Sequence, residues 1–421
     1  MKSILLQHKE ERDLLAAGNY IERSSPDARS SFLESSLIKI ITGPRRCGKS
    51  VYAFLLLQNT NFAYANFDDD QLLRNFKEDT FIEAIHQIYG DFSHVFFDEI
   101  QNLPNWELLV NKLHRRKYNV VLTGSNARML SRELATALTG RYISMELMPF
   151  SLTEMIDWRY TGEVPASEST PKQRGEILSF ALNYLKNGGF PESAINPELR
   201  KPYLSTLFDS VIYKDIVKRF NVRNASQLND LAVYLLCNYS SLYSYQSLSR
   251  ELQFRSVESL RKYIHFLEET YLFFSVPRFS FKMKTQDNSA RKVYVIDNGF
   301  IAARSFEFSP NYGRLLENLV AIELLRRTSD EVYKLFYYRT TNNLEVDFLI
   351  KENNKIKSLI QVAWDISSPK TLKREVQALI KASQELQVNN LIIITWDDEK
   401  VIMEGQFTIS VIPFWKFALF T

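Results

Sequence analysis

Short apolar runs alternate with amphipathic stretches over the first 150 residues. Five of these runs have the length and apolar character of buried strands: 37–41, 62–67, 93–97, 119–123 and 142–147. Helical periodicity separates them, most clearly at 79–90 and 106–117. Short apolar strands that alternate with helices predict a parallel sheet with helices on both faces. Ligand chemistry is then expected at the edge where the carboxyl ends of the strands meet.

The pattern changes after Pro149. The predicted elements beyond it are helices over 151–205 with a turn at 187–191, further helices over 206–269, a β-ribbon over 271–298 around the polar turn at 286–288, a helix from Arg314, strands over 332–364, a helix near 370–386 and a strand at 391–395. The second half of the chain therefore passes from a largely helical region into a second α/β region.

The first strand runs directly into a glycine-rich loop. Residues 43–50 have the sequence GPRRCGKS, which fits the phosphate-loop pattern G-x-x-x-x-G-K-[ST] at every fixed position. The two glycines allow successive backbone N–H groups to surround a phosphate, and the following helix directs its positive N-terminus at the anion. Lys49 is expected to contact the β- and γ-phosphates, and the hydroxyl of Ser50 to bind Mg²⁺. The predicted nucleotide-binding residues are Gly43, Pro44, Arg45, Arg46, Cys47, Gly48, Lys49, Ser50 and Val51. A glycine-rich turn without a ligand is the alternative, and the strand–loop–helix setting argues against it.

Composition limits the remaining classes of protein. The chain has 421 residues, enough for two or more domains, and its 45% apolar and 24% charged residues are typical of globular proteins. A net charge of +3 gives no overall field for nucleic acid, so any basic surface must be local. The two cysteines, Cys47 and Cys237, are too few for a disulfide framework or a metal cluster, and Cys47 fits a small spacer in the loop. The sequence has no run of eighteen apolar residues and no signal-peptide pattern, so we expect a cytoplasmic protein without membrane contact.

Two acidic residues follow the third apolar run. Asp98 is placed to hold Mg²⁺ through its water shell, and Glu99 to polarise the attacking water as a general base. An Asp-Glu pair after a strand is a weak signal by itself. It gains weight here because one further strand lies between it and the phosphate loop, as P-loop ATPases with an additional strand require.

Polar and basic residues after the fourth run are further candidates for catalysis. Ser125 or Asn126 would contact the γ-phosphate or the attacking water, and capping of the following helix explains them equally well. Arg128, Arg132 and Arg141 are candidates to stabilise transition-state charge from a neighbouring subunit, although each alone also fits a surface ion pair. The predicted catalytic residues are Glu99, Ser125, Asn126 and Arg141.

Several stretches together carry a family resemblance. They are ITGPRRCGKS, FFDEIQNLPNWE, LTGSNARML, LTGRYISMELMPFSLTEM, NGGFPE, KVYVIDNGF, RLLENLV and EVDFLI. Over roughly residues 20–400 the chain resembles a large family of bacterial and archaeal AAA-type ATPases whose members carry a C-terminal domain of unknown function. The resemblance implies ATP binding and a C-terminal part similar to the PD-(D/E)xK nuclease fold. It implies little about the biological role.

A helix-turn-helix pattern lies at 244–269, and the predicted ribbon after it would form a wing. Residues 241–300 contain nine Lys and Arg against six Asp and Glu, a net charge of +3. The segment 278–284, RFSFKMK, interleaves basic and aromatic residues and fits contacts to phosphates and bases. A winged helix that contacts a protein partner is the alternative, and no base-reading residue decides between the two.

The similarity to the nuclease fold can be tested against the residues that such a site needs. Glu317, Asp347 and Gln361 have the order and spacing of the metal-binding residues, but Ala363 stands where the catalytic lysine is expected. Gln361 weakens a metal site, and Ala363 removes the cation. Lys373 or Arg374 on the next helix would be the substitutes. We therefore favour an inactive nuclease-like scaffold over an active nuclease.

These patterns predict an α/β protein in five parts. The parts are a helical lead-in at 1–30, a P-loop AAA-type ATPase with a parallel sheet at 31–150, a helical lid at 151–205, a winged-helix region at 206–300 and a PD-(D/E)xK nuclease-like domain at 301–421. The predicted function is ATP hydrolysis with Mg²⁺, with DNA or a protein as partner. The alternatives are a slow nucleotide-dependent switch that acts on a protein, and an ATP-dependent DNA-processing nuclease.

Overall fold

The computed structural model describes residues 1–18, 20, 21, 23, 32–125, 140–159, 170–305, 310–328 and 332–420. The chain divides into two compact units, Met1–Pro149 and Phe150–Thr421, and each is described by itself. The finer division into five parts stays a prediction. Within the described ranges, no helix combines the length and the apolar character needed to cross a membrane.

Five parallel strands form the centre of the first unit. They are β1 Ile38–Thr42, β2 Phe62–Asn66, β3 His94–Asp98, β4 Asn119–Gly124 and β5 Tyr142–Glu146, in the spatial order β2-β3-β4-β1-β5. The described helices of this unit are α1 Lys2–Ala16, α2 Lys49–Leu57, α3 Asp70–Arg74, α4 Glu78–Tyr89 and α5 Trp106–Arg115. A 3₁₀ turn, Ile100–Asn102, follows β3.

Both faces of this sheet are buried. Successive residues of a strand point to opposite faces, and Val95 and Phe97 of β3 belong to one apolar cluster while Phe96 belongs to another. The first cluster includes side chains of α1, α4 and α5, and the second includes side chains of α2. The predicted parallel sheet with helices on both faces is therefore confirmed.

The strand that comes between the phosphate loop and Asp98 in the sequence is not the strand that lies between β1 and β3 in the sheet. The strand that separates the phosphate loop from Asp98 in sequence is β2, and it lies at the edge of the sheet beside β3. The strand between β1 and β3 in space is β4, which comes later in the sequence. Crossover connections make this possible, because a parallel strand does not have to pair with its neighbour in sequence.

The second unit begins with helices, as predicted. They are α6 Leu152–Arg159, α7 Pro171–Asn187, α8 Pro191–Ile195, α9 Arg200–Ser210, a π-helical stretch Val211–Lys218 and α10 Ala225–Cys237. The α7 helix starts at a capping box, in which Thr170 and Gln173 satisfy each other's backbone N–H groups before Pro171.

The predicted turn after α7 closes on a residue far along the chain. Gly188 has a φ of 70°, and a Cβ there would lie 1.7 Å from Oδ1 of Asp297. The carboxylate of Asp297 accepts hydrogen bonds from the N–H groups of Gly189 (2.7 Å) and Gly299 (2.8 Å). Burial raises the pKa of Asp297 to about 6. Gly188 thus leaves space for the buried carboxylate of Asp297, which a side chain at position 188 would fill.

A small antiparallel sheet follows. Its segment contains β6 Ser241–Tyr243, α11 Tyr245–Glu251, α12 Val257–Glu269, β7 Phe273–Val276, α13 Met283–Asn288 and β8 Arg291–Val295, with the strand order β6-β8-β7. The hydroxyl of Ser256 caps α12 by accepting the N–H of Ser259 (3.1 Å). The ribbon prediction was wrong in one respect: β7 and β8 pair, but 283–288 forms α13 instead of a turn. The sequence MKTQDN has no Gly or Pro, so nothing in it opposes a helical turn.

A mixed six-stranded sheet completes the second unit. The elements are α14 Asn298–Arg304, α15 Tyr312–Arg327, β9 Tyr333–Arg339, β10 Glu345–Glu352, β11 Lys355–Val362, α16 Pro369–Leu386, β12 Leu391–Thr395, β13 Lys400–Glu404, β14 Phe407–Pro413 and α17 Phe414–Phe420. The strand order is β13-β14-β12-β11-β10-β9, with parallel pairing from β11 through β12 to β14 and antiparallel pairing elsewhere. The pattern did not predict β13, β14 or α17.

A buried asparagine joins α15 to β8. Asn318 is fully buried, and its side chain accepts the N–H of Val295 (2.8 Å) and donates to the carbonyl of Val295 (2.9 Å) and to Oδ1 of Asn298 (2.8 Å). The amide side chain thus takes the place of a neighbouring strand for one residue of β8.

Candidate nucleotide-binding site

The phosphate loop follows β1 at the carboxyl edge of the parallel sheet. Gly43 has a φ of 144°, and a Cβ there would lie 1.9 Å from the carbonyl oxygen of Leu147. Gly48, just before α2, has a φ of 97°. Both positions lie in the region of backbone conformation that favours glycine. The pattern's two glycines are therefore explained by loop geometry.

The lysine of the loop is buried and held by oxygen atoms. Nζ of Lys49 donates to the carbonyl oxygens of Gly43 (3.1 Å) and Pro44 (2.9 Å). It also lies 3.7 Å from Oε1 of Glu99. The predicted cation is thus at the loop, beside the predicted general base.

Ser50 and Asp98 lie together, as a shared Mg²⁺ site requires. Oγ of Ser50 is 2.9 and 2.7 Å from the two carboxylate oxygens of Asp98, and the hydroxyl of Thr123 donates to Oδ1. Burial and the neighbouring charge of Glu99 raise the pKa of Asp98 to about 6. Hydroxyl and carboxylate oxygens are the hard ligands that Mg²⁺ prefers, and Mg²⁺ takes few of them from protein. The residues therefore fit this metal.

Glu99 is fixed at a strained position directly after β3. Its φ is 50°, and its N–H donates to Oγ1 of Thr123 (3.0 Å). Its carboxylate accepts hydrogen bonds from Ser125 (2.8 Å) and from the amide of Gln101. Burial alone would raise its pKa, but the charge of Lys49 and these hydrogen bonds lower it to about 2. Glu99 is therefore ionised at neutral pH.

The other predicted loop residues have differing environments. Arg45 contacts Asp68 through NH2 (3.4 Å), and Arg46 is exposed with a φ of 66°. Cys47 is buried with Sγ 3.0 Å from the carbonyl of Leu147, and burial raises the pKa of its thiol. Val51 is half-buried in the first turn of α2.

The structure brings one of the other predicted catalytic residues to this site. Ser125 contacts Glu99 directly, as described above. Arg141 precedes β5 at the amino edge of the sheet, where its carbonyl accepts the N–H of Ile38 (2.9 Å). This edge is opposite the phosphate loop, so Arg141 does not join the site of its own chain. The predictions for Asn126, Arg128 and Arg132 lie outside the described residues.

Three residues of the site were missed by sequence reasoning. Thr123 connects Asp98 and Glu99, and Gln101 contacts both Glu99 and Ser125 (3.5 Å). The guanidinium of Arg23 is buried and donates to the carbonyls of Cys47 (2.8 Å) and Met148 (2.6 Å). Thr123 and Gln101 lie within two residues of predicted site residues, so proximity was an available signal. Arg23 gave none, because it lies 24 residues before the carbonyl it binds.

The predicted nuclease-like residues gather in the second unit, around a lysine that was not predicted. Nζ of Lys292 lies 2.9 Å from Oε1 of Glu317 and 2.8 Å from Oδ1 of Asp347. Gln361 is directed elsewhere: its Oε1 accepts the backbone N–H of Asp347 (2.7 Å). Ala363 is buried. Among the described residues, no group of three or more His, Cys, Asp or Glu is arranged to hold a metal ion. The residues present therefore do not fit a two-carboxylate metal centre with a free position.

Comparison with known proteins places these observations in a family. Residues 35–156 match an AAA domain, 181–310 match a domain of unknown function (DUF8612) and 312–417 match another (DUF4143). The chain is 35% identical to an uncharacterized protein of Methanocaldococcus jannaschii over 91% of this chain and 88% of that one. It is 31% identical to an uncharacterized protein of Haemophilus influenzae over 80% and 84% of the two chains.

Two solved structures align with part of this chain at low sequence identity. A Walker-type ATPase of Pyrococcus abyssi aligns with a TM-score of 0.45 and 12% identity, over 68% of this chain and 95% of that one. A RuvB mutant of Thermotoga maritima aligns with a TM-score of 0.31 and 16% identity, over 60% and 90% of the two chains. The family follows from the sequence matches: the chain belongs to a family of bacterial and archaeal AAA-type ATP-binding proteins with a C-terminal domain of unknown function.

Proposed function

We propose that the chain hydrolyses ATP with Mg²⁺ at the carboxyl edge of its parallel sheet. The observation that carries the proposal is the convergence of Lys49, Ser50, Asp98 and Glu99, four residues from two separate segments, into one network of contacts no longer than 3.7 Å. A phosphate loop needs only its own residues to bind nucleotide. A buried carboxylate beside the loop lysine adds what hydrolysis requires.

The residues of the chain divide the chemistry between them. The loop N–H groups and Lys49 bind the β- and γ-phosphates, and Ser50 with Asp98 would hold Mg²⁺, which neutralises charge that develops on the phosphate oxygens. Glu99 accepts the proton of the attacking water at its carboxylate. Ser125 and Gln101 orient that carboxylate through their hydrogen bonds. Thr123 fixes the relative positions of Asp98 and Glu99 by hydrogen bonding to both.

We propose DNA as the partner that the second unit contacts. The order of helices and strands from β6 to β8 resembles that of a winged helix, and this resemblance supports the choice. Arg261 and Lys262 of α12 are exposed. Phe281 and Met283, next to the exposed Lys282, are 81% and 73% exposed. Apolar side chains exposed to this degree beside ammonium groups suit base stacking with phosphate contact.

ATP turnover with and without DNA tests the first proposal and its partner together. We expect Mg²⁺-dependent phosphate release that either a single-stranded or a duplex oligonucleotide increases. Absence of ATP turnover under all conditions would contradict the proposed activity. Turnover that DNA leaves unchanged would favour the switch that acts on a protein.

A paired variant locates the DNA effect. Phe281→Ala with Lys282→Ala should abolish the stimulation without changing basal turnover. Lys351→Ala, on β10, is the matched control, and its stimulation should equal that of the wild type. Stimulation that survives the paired variant would place DNA contact elsewhere. The cytoplasmic location stays a prediction.

A further inference from the structure

Lys292 on β8 is a buried lysine surrounded by carboxylates. The residue is 3% exposed, and its ammonium lies 2.9 Å from Glu317, 2.9 Å from Glu345 and 2.8 Å from Asp347. The ammonium donates hydrogen bonds to Glu317 and Asp347, and Glu345 adds an ion pair. Burial lowers the pKa of Lys292, but the charges of Asp347 and Glu317 outweigh that effect and raise the pKa well above its ordinary value. The geometry therefore places an ammonium group among three carboxylates.

Each of these carboxylates also contacts a second donor from the protein. Oδ2 of Asp347 accepts the N–H of Val362 (3.0 Å), and Oε1 of Glu317 accepts the hydroxyl of Tyr294 (2.8 Å). Arg339 lies 3.4 Å from the second oxygen of Glu345. Each carboxylate thus has a protein donor besides Lys292, and the cluster is closed by groups of the chain itself.

The side chain of Gln361 is also bonded to groups of the protein. Its carbonyl oxygen accepts the N–H of Asp347, while its amide donates to the carbonyl of Glu345 (3.1 Å) and to Oε2 of Glu375 (2.5 Å). The oxygen that would have joined a metal shell is occupied by backbone. A carboxylate at this position could not donate either of the two amide hydrogen bonds.

We propose that the ammonium of Lys292 is a built-in cation that takes the place of a divalent metal between Glu317 and Asp347, so that the wild-type chain binds no Mg²⁺ or Mn²⁺ there. Oxygen ligands lie about 2.0–2.1 Å from Mg²⁺, and both carboxylates already contact Nζ. A metal and the ammonium cannot occupy this position together. Mg²⁺ and Mn²⁺ are chosen because of the resemblance to the nuclease fold. Whether the chain hydrolyses ATP does not affect the metal position.

Lys292 also connects two segments of the chain that match different family models. Lys292 belongs to the segment matched by one family model, 181–310, and the three carboxylates belong to the segment matched by the next, 312–417. The cation therefore joins the two segments and at the same time closes the metal position. Removal of the ammonium should leave the carboxylates of Glu317 and Asp347 facing the position it held, and carboxylate oxygens are ligands that suit Mn²⁺.

Manganese binding without nucleotide tests the proposal. Bound Mn²⁺ is counted by electron paramagnetic resonance of the free ion in the full chain, for wild type, Asp347→Asn, Lys292→Ala and the double variant. We expect wild type and Asp347→Asn to bind equally. Lys292→Ala should gain one Mn²⁺ per chain, and the double variant should lose it. Lys370→Ala, at an exposed lysine in the same unit, is the matched control and should gain none.

Two results would overturn the proposal. One is Mn²⁺ binding by the wild type that Asp347→Asn removes, a comparison that holds even when Lys292→Ala fails to fold. The other is a folded Lys292→Ala chain that gains no site. ATP turnover measured in parallel should stay within about twofold of wild type for Asp347→Asn. Its loss in every variant, wild type included, would contradict only the proposed ATPase.

Discussion

Replacement of Glu99 by Gln separates nucleotide binding from hydrolysis. The substitution keeps the shape of the side chain and one acceptor for Ser125, but removes the charge and the ability to take a proton from water. General-base catalysis typically contributes 10²- to 10⁴-fold, which corresponds to about 3–5 kcal/mol of transition-state stabilisation. We therefore expect kcat to fall by at least about 10²-fold.

ATP binding should respond in the opposite direction or not at all. Glu99 lies 3.7 Å from the ammonium of Lys49, an attraction of roughly 4 kcal/mol at an effective dielectric constant of 20. Without that charge, Lys49 is freer to turn to the phosphates. The affinity for ATP should thus be unchanged or higher in Glu99→Gln.

Two measurements and a control decide this prediction. Phosphate release at saturating ATP gives kcat, and titration calorimetry gives ATP affinity. The matched control is Glu83→Gln, an exposed carboxylate on α4, and it should match wild type in both. Wild-type turnover by Glu99→Gln would show that Glu99 is only an acidic residue at the end of a strand. A large loss of ATP affinity would contradict the role assigned here to its charge.

Three further substitutions test other parts of the molecule. Lys49→Ala should abolish tight ATP binding, because it removes the buried cation of the loop, and unchanged affinity in calorimetry would refute the nucleotide site. Asn318→Leu leaves three buried polar groups without partners at about 1–3 kcal/mol each, so urea denaturation should show a loss of about 3–9 kcal/mol, against little change for the exposed Asn390→Leu. The pKa of Asp297 is raised from 3.8 to about 6, so the folded state binds its proton more tightly than the unfolded state. This group should therefore reduce the free energy of unfolding by about 3 kcal/mol in total as pH rises from below about 3 to above about 7, with most of the loss between pH 4 and 6. Asp297→Asn should flatten that part of the pH profile, and an unchanged slope would show that Asp297 does not cause it.

The success of sequence reasoning followed the range of the interactions involved. The phosphate loop and β1 were predictable because residues 43–50 and the strand before them form a continuous local pattern. Asp98 and Glu99 were predictable because both end an apolar strand. No such signal exists for Lys292, whose carboxylate partners Glu317 and Asp347 lie 25 and 55 residues away.

The strand order shows the same limit. Alternating strands and helices indicated a parallel sheet, but the apolar pattern of β2 does not differ from that of β4. Their places at the edge and in the interior of the sheet depend on crossover connections and helix packing. The short helix at 283–288 was missed because a polar turn and one helical turn have the same composition there.

The contact between Gly189 and Asp297 has a consequence for the order of events on the ribosome. The two residues are 108 positions apart, and synthesis proceeds at about 5–20 residues per second. Asp297 is therefore synthesised on the order of 5–20 s after the loop that it binds. During that interval the N–H of Gly189 can bind only to water or to other parts of the chain, while all five strands of the parallel sheet have already been synthesised. The first unit can thus fold before Asp297, the residue that binds the loop after α7, has been synthesised.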